Sequence, residues 1–226
     1  MGKILLTGDL HGDSLRLFLL NNDKFTKDDI VIVLGDFGMI WNDEEVAVQA
    51  LGILGKVNFT IAFVDGNHEG FPLISKLETV KEWNGGKVGE LPGGILHLLR
   101  GEVYNLNDKR IGVCGGANSV DLWHRKEGVS WWREEEIQDS DINNLINNLG
   151  DNKHLDLMLT HDCPASLTKQ IAVFSGINGA KISNSQTQLE KINQEVEIDK
   201  WYFGHWHINL PLDDKFHCLY QEFREI

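Results

Sequence analysis

Residues 8–13, with the sequence GDLHGD, combine two metal-binding residue types with two glycines that permit a sharp turn. They follow the apolar run ILL at residues 4–6, which predicts a buried first strand. Because side chains alternate along an extended segment, Asp9 and His11 point the same way. A carboxylate and an imidazole aimed at one point are suitable transition-metal ligands. Alone, the stretch predicts only half of a metal site, since Asp-x-His occurs by chance in many chains.

Similar polar groups recur at the ends of other predicted strands. The strands at residues 30–34, 59–64, 155–159 and 200–203 are followed by Asp36, by Asn67 and His68, by His161, and by His205 and His207. Together with His11, these groups contain five of the nine histidines, which random placement would rarely produce. The alternation of strands and helices predicts an α/β sheet with its site at the carboxyl ends of the strands.

Several further elements are predicted from periodicity and turn signals. Helices are expected from Leu15, after a cap at Asp13 or Ser14, and over residues 43–56, 134–149 and 186–195. Short strands at 95–99, 103–106 and 110–114 predict a second, meander-like sheet, and 216–223 a last strand. Residues 115–132 are expected to form an irregular loop. Residues 164–185 lack clear periodicity, which leaves open whether they cover the site as a lid.

The composition indicates a globular protein. The 226 residues, 42% hydrophobic and 24% charged, predict a single domain over residues 1–226. A net charge of −13 disfavours long nucleic acid as a partner but allows a small phosphorylated substrate, since divalent ions would make a site locally positive. Three cysteines without a C-x-x-C pair predict reduced thiols and a cytoplasmic location. No signal peptide or membrane span is expected, and the oligomeric state stays open.

Taken together, the strand-end groups resemble the signature of the calcineurin-like metallophosphoesterases. That signature is D-x-H, G-D, G-N-H-D/E, a lone His, then G-H-x-H, and its order, intervals and strand-end contexts match residues 4 to about 208. The resemblance implies an α/β fold: a four-layer α-β-β-α sandwich of two mixed sheets flanked by helices.

The resemblance also implies the roles of the matching residues. One metal ion would be bound by Asp9, His11 and His207, a second by Asn67, His161 and His205, and both by a bridging Asp36. Manganese is the first choice, with Fe, Zn, Ni or Co as alternatives. The implied reaction is metal-dependent hydrolysis of a phosphoester by in-line attack of a metal-bridging hydroxide. His68 would be the catalytic residue that helps to protonate the leaving oxygen.

Other residues in the motifs are assigned supporting roles. Asp13 and Glu69 are interpreted as a helix cap and a supporting or capping acid, and Cys163 as a buried thiol rather than a nucleophile.

Protein serine/threonine phosphatases continue G-D to Asp-Arg-Gly, whereas this chain has Met39, Ile40 and Trp41 after Asp36. Asp65 stands where that branch has an arginine. These departures favour the small phosphodiesterase or general phosphoesterase members.

The glycine-rich loop at residues 115–126 is the remaining candidate for substrate binding. Asn118 and Arg125 are predicted to contact substrate, and Trp123, Trp131 or Trp132 either stacks on a base or packs on the scaffold. A small phosphodiester or nucleotide is the leading substrate class. The alternatives are a phosphomonoesterase acting on proteins or metabolites, a nuclease, which the acidic charge weakens, and a non-catalytic metal-binding scaffold.

Overall fold

The computed structural model describes residues 2–226, and its secondary structure alternates strands and helices. The strands are β1 Ile4–Thr7, β2 Ile30–Leu34, β3 Thr60–Val64, β4 Thr79–Trp83, β5 Gly86–Leu91, β6 Ile95–Leu98, β7 Val103–Leu106, β8 Lys109–Cys114, β9 His154–Thr160, β10 Glu197–Phe203, β11 Leu210–Pro211, β12 Phe216–Cys218 and β13 Arg224–Glu225. The α-helices are α1 Leu15–Leu20, α2 Glu44–Leu54, α3 Phe71–Leu77, α4 Asp139–Leu149, α5 Thr168–Phe174 and α6 Asn184–Glu195. Within the described chain, no helix is both long and apolar enough to cross a membrane.

The strands form two mixed sheets. The first has the order β13-β1-β2-β3-β6-β5-β4, and the second has the order β11-β12-β10-β9-β8-β7. Strands β1, β2, β3 and β6 run parallel in the first sheet, as do β8, β9, β10 and β12 in the second. The carboxyl ends of these parallel strands therefore meet at one edge of each sheet, where the motif residues begin.

Alternation along the strands divides the apolar residues into layers. Ile4, Leu6 and Ile32 face a core shared with β8 and β9 of the second sheet. Their neighbours Leu5 and Val31 face a separate core formed with α1 and α2. A third core lies between the second sheet and helices α4 and α6. This arrangement is the α-β-β-α sandwich implied by the resemblance, so the predicted fold class is confirmed.

The predicted second meander is wrong in one respect. Strand β6 pairs parallel with β3 and antiparallel with β5, so it belongs to the first sheet, whereas β7 and β8 belong to the second. The β4–β5 hairpin and helix α3 were not predicted. The last predicted strand, 216–223, is split between β12 and β13, which join different sheets. The misassignment has a physical cause: short strands carry no local signal of which sheet they will join.

Candidate metal centre

The predicted ligands lie on sharp turns directly after the parallel strands. Among residues 2–226, seven non-glycine residues have positive φ. Four of them are His11, Asp36, His205 and His207, with φ between 48° and 66°. Such a conformation is uncommon for residues with a side chain and persists where the surrounding structure enforces it. The strain is therefore concentrated at the predicted site.

The first predicted ligand group is brought together as a compact cluster. One donor atom from each of Asp9, His11 and His207 lies within 4.8 Å of the others. His207 Nε2 is 3.0 Å from Asp9 Oδ2 and 2.9 Å from His11 Nε2. His207 also stacks on Tyr220, with ring centroids 4.7 Å apart, and this contact holds the imidazole in place.

The second predicted group surrounds the buried His161. Its Nε2 lies 3.2 Å from Asn67 Oδ1, and its Nδ1 lies 2.7 Å from the Leu34 carbonyl oxygen. The carbonyl can only accept, so Nδ1 carries the hydrogen and Nε2 of the neutral ring is left with a free lone pair. The His205 ring packs against His161 with centroids 4.9 Å apart, and the His205 backbone N–H donates to Asp9 Oδ1 at 2.8 Å.

Asp36 lies between the two groups. Its Oδ2 is 3.7 Å from His11 Nε2, and its Oδ1 is 3.4 Å from His161 Nε2. The backbone N–H of His68 donates to Oδ1 at 2.7 Å and fixes the carboxylate. Each oxygen of Asp36 thus faces a different ligand group, which is the geometry expected of a bridging carboxylate.

The electrostatics of these groups fit a bound cation. His161 Nε2 faces two acceptors, Asn67 Oδ1 and Asp36 Oδ1, with no hydrogen of its own in the neutral ring. Burial raises the pKa of Asp36, but His161 outweighs it and keeps that pKa below its usual range. Burial lowers the pKa of His161, but Asp36 and Asp9 outweigh it and raise that pKa to about 10. These acceptors therefore favour a positive charge at Nε2, which either a proton or a metal ion on the lone pair of the neutral ring would supply. Oxygen and nitrogen atoms that converge on one point and stabilise positive charge there are suitable ligands for divalent transition metals.

A cavity of about 240 Å³ opens over these groups. Its lining residues are His11, Asp36, Asn67, His68, Val120, Asp121, His205 and His207. Of the described chain, no part of 164–185 lines it, so the structure gives no support to a lid at that segment. Trp132 is buried, Trp131 is partly buried, and Trp123 is largely exposed.

His68 lines the cavity but belongs to neither ligand group. Arg125 Nη2 lies 2.9 Å from its Nε2 and 3.1 Å from its Nδ1. Burial lowers the pKa of His68 first, Asp36 opposes that effect, and the nearby Arg125 lowers it further, to about 4. The structure therefore brings Arg125 to the predicted catalytic histidine and not to the cavity wall.

The second predicted substrate contact, Asn118, is not brought into the cavity. Its side-chain amide donates to Glu136, and its Oδ1 accepts from the Ser185 backbone N–H at 3.1 Å. Both ends of the amide are thus engaged with the scaffold, and Asn118 is absent from the cavity lining. The geometry gives Asn118 a structural role instead.

The next residue in the loop, Ser119, supports the site and was missed by the sequence analysis. Asn67 Nδ2 donates to Ser119 Oγ at 3.0 Å, and the Ser119 hydroxyl donates in turn to the buried Glu135. This chain fixes the orientation of the Asn67 amide, so that Oδ1 faces His161. Ser119 lies in a glycine-rich stretch and Glu135 in an acidic run, so neither carried a distinguishing signal.

The two supporting acids take the places expected of them. Glu69 is fully buried and accepts hydrogen bonds from the backbone N–H of Phe37, at 2.7 Å, and of Gly38. It thereby holds the turn that carries Asp36. Burial is the main cause that raises the pKa of Glu69 to about 8. Asp13 Oδ1 accepts from the Leu15 backbone N–H at 3.2 Å, at the start of α1.

Comparison with known proteins agrees with the observed fold. The chain matches the family of calcineurin-like phosphoesterases over residues 2–209 of its 226. No individual curated protein matches it. The family match indicates metal-dependent hydrolysis of a phosphoester, and the Asp and His clusters could hold the metal ions. The resemblance drawn from the sequence is confirmed: the chain belongs to the calcineurin-like phosphoesterase family.

Proposed function

We propose that the protein is a cytoplasmic, dinuclear metal-dependent phosphoesterase that hydrolyses small phosphodiesters, nucleotides among them. The observation that carries this proposal is the position of Asp36, whose two carboxylate oxygens face two different groups of ligands. A mononuclear site would need only one of those groups. The whole chain, residues 1–226, acts in this proposal as one catalytic domain.

The ligand groups divide between two ions. Asp9, His11 and His207 would hold one ion, and Asn67, His161 and His205 the other, with Asp36 shared. Mixed carboxylate, amide and imidazole ligands suit Mn first, and also Fe, Zn, Ni or Co. The chemistry that the ions supply when bound is Lewis-acid stabilisation of phosphoryl charge and acidification of water.

The protein's own groups supply orientation and a proton. Among the described residues that line the cavity, His68 is the one imidazole that belongs to neither ligand group. An in-line displacement needs a proton on the leaving oxygen, and His68 lines the cavity in which that oxygen would lie. The pKa of the free ring is low, but the negative charge of a phosphoester bound beside it would raise that pKa and favour the protonated, donating form. The neighbouring Arg125 orients the ring through its contact with both ring nitrogens.

Three features favour a small diester over other substrates. The cavity wall contains no lysine or arginine among the described residues, so a doubly charged monoester would find no side-chain cation there. The net charge of −13 opposes the approach of long nucleic acid, which disfavours a nuclease. The Arg-containing motifs of protein serine/threonine phosphatases are also missing.

The test compares hydrolysis of bis-p-nitrophenyl phosphate and p-nitrophenyl phosphate by the Mn²⁺-loaded protein, with bound metal measured in parallel. We expect faster turnover of the diester, and loss of both metal and turnover in Asp36→Asn. Asp151→Asn, which removes an exposed carboxylate outside the cavity, is the matched control. Faster turnover of the monoester would establish a phosphatase instead. A folded protein that binds no metal and hydrolyses neither ester would indicate a scaffold.

A further inference from the structure

Two of the residues that line the cavity come from outside the metal-binding motifs. They are Val120 and Asp121, in the loop that follows β8. A single turn of 3-10 helix, Leu122–His124, follows them, and Arg125 comes directly after this turn. The Arg125 Nε lies 2.8 Å from Asp121 Oδ1. Asp121 is therefore the only charged side chain in the described wall that the metal site does not require.

Each nitrogen of the Arg125 guanidinium already has a partner within the protein. Its Nε is paired with Asp121, its Nη2 contacts the His68 ring, and its Nη1 donates to the Ser130 carbonyl at 3.3 Å. The same Nη1 is 3.8 Å from Glu135 Oε1, and the Arg125 side chain is only 8% exposed. The Arg125 cation is thus buried and held back from the cavity.

The Asp121 carboxylate, in contrast, is open to the cavity. Its side chain is 45% exposed although one oxygen is paired with Arg125. Burial raises its pKa, but the hydrogen bond and charge of Arg125 outweigh this effect and lower that pKa. The carboxylate is consequently ionised at neutral pH, and it stands in the cavity wall as a negative charge.

We propose that Asp121 is a specificity-determining residue, which repels doubly charged phosphomonoesters while it admits singly charged phosphodiesters. The inference rests on the proposed phosphoesterase function and names the residue that sets its substrate charge. A phosphomonoester has a second pKa near 6 and carries about two negative charges at pH 8. A diester carries one, so the same carboxylate opposes it less. By pairing with Arg125, Asp121 also keeps that cation away from the phosphate.

The first test is the ratio of kcat/KM for bis-p-nitrophenyl phosphate to that for p-nitrophenyl phosphate, measured at pH 8 with Mn²⁺. Asp121→Asn should raise kcat/KM for the monoester about three- to tenfold and change that for the diester less than about twofold. Asp121→Glu keeps the charge and should keep the wild-type ratio. Asp151→Asn makes the same change of net charge outside the cavity and should also leave the ratio unchanged. An unchanged ratio in Asp121→Asn, or an equal change for both esters, would overturn the proposal.

A second test does not depend on turnover. Binding of orthophosphate and of dimethyl phosphate to the Mn²⁺-loaded protein is measured by calorimetry at pH 8. Asp121→Asn should tighten binding of orthophosphate about three- to tenfold and leave dimethyl phosphate within about twofold. Equal effects on the two anions would overturn the proposal. If the wild-type protein hydrolyses neither ester, the proposed function fails, whereas this comparison still decides the role of Asp121.

Discussion

At the scale of single residues, His68 and Asn67 are neighbours in sequence with different tasks. The Asn67 amide turns towards His161, whereas the His68 ring turns towards Arg125. The backbone N–H of His68 nevertheless contributes to the metal site, because it donates to Asp36 Oδ1. The backbone of His68 thus supports the metal site, whereas its side chain has the proposed role in proton transfer.

Replacing His68 by alanine tests this division. The backbone bond to Asp36 is retained, so we expect bound Mn²⁺ to stay at the wild-type level. Turnover should fall by about 10²–10⁴-fold, with the larger loss for esters of poor leaving groups, because these depend most on proton donation. The measurement is kcat across a series of esters that differ in leaving-group pKa.

His154→Ala is the matched control for that experiment. His154 begins β9, at the opposite end of the strand from His161, and its Nε2 contacts Asp199. We expect little change in turnover. Loss of metal from His68→Ala would show that His68 is a ligand and that its assignment as an acid is wrong.

At the scale of elements, the glycines that end the strands are required by the close approach of the ligands. A Cβ added at Gly35 would lie 2.0 Å from His161 Nδ1, and one at Gly204 would lie 2.5 Å from Asp9 Oδ1. At Gly66 the added Cβ would lie 2.1 Å from Asp36 Oδ1 and 2.3 Å from its backbone nitrogen. Each ligand therefore packs directly on the backbone of a neighbouring strand end.

Gly66→Ala should accordingly displace both the backbone and the carboxylate of Asp36. The clash involves backbone, which cannot swing away, so we expect lower Mn²⁺ content and a free energy of unfolding reduced by about 1–3 kcal/mol. Metal analysis and urea denaturation measure the two effects. Wild-type metal content in Gly66→Ala would contradict this account of the glycine.

Gly52→Ala provides a control of the same chemistry. Gly52 lies inside α2, and an added Cβ there meets no atom within 4 Å. Alanine also favours the helix over glycine, so this variant should gain about 0.5–1 kcal/mol of stability without a change in metal content.

At the scale of the whole molecule, a buried ionic network links the first sheet to helix α4. His97 on β6 contacts Asp65 at 3.3 Å and Glu78 at 2.9 Å. Arg100 pairs with Asp65 and lies 3.4 Å from Asp141 on α4. The position that holds an arginine in the protein phosphatase branch therefore carries a structural acid in this chain. Breaking such a buried pair leaves an uncompensated charge, which is strongly destabilising.

The network predicts a pH dependence of stability. Burial lowers the pKa of His97, but its bonds to Asp65 and Glu78 outweigh this effect and raise the pKa to about 9, from 6.5. A raised pKa means that the folded state binds the proton more tightly than the unfolded state does. The stabilisation is therefore complete below pH 6.5 and is lost as the pH rises to about 9.

We expect the difference in free energy of unfolding between wild type and His97→Gln to shrink as the pH rises from 6 to 9.5. The change should reach up to about 3 kcal/mol, and urea denaturation at several pH values measures it. Contributions from the metal site are common to both proteins and cancel in the difference. Parallel curves for the two proteins would exclude a proton on His97 as the source.

The sequence determined the fold class and which polar side chains at the strand ends lie together. Apolar runs of three to six residues specify buried strands, and parallel strands bring their carboxyl ends to one edge. A polar group placed just after a parallel strand therefore lies at that edge. This is why Asp9, Asp36 and His161 were found without a structure.

Only the tertiary structure decided what the remaining side chains contact. Strand β6 lies in the first sheet, and the Asn118 side chain bonds to the scaffold. Ser119 accepts a hydrogen bond from Asn67, and Arg125 contacts both Asp121 and His68. These contacts depend on which distant segments pack together, and a loop sequence has no periodicity from which its contacts could be predicted. Local pattern thus determines strands and the groups at their ends, whereas long-range packing determines how a loop surrounds them.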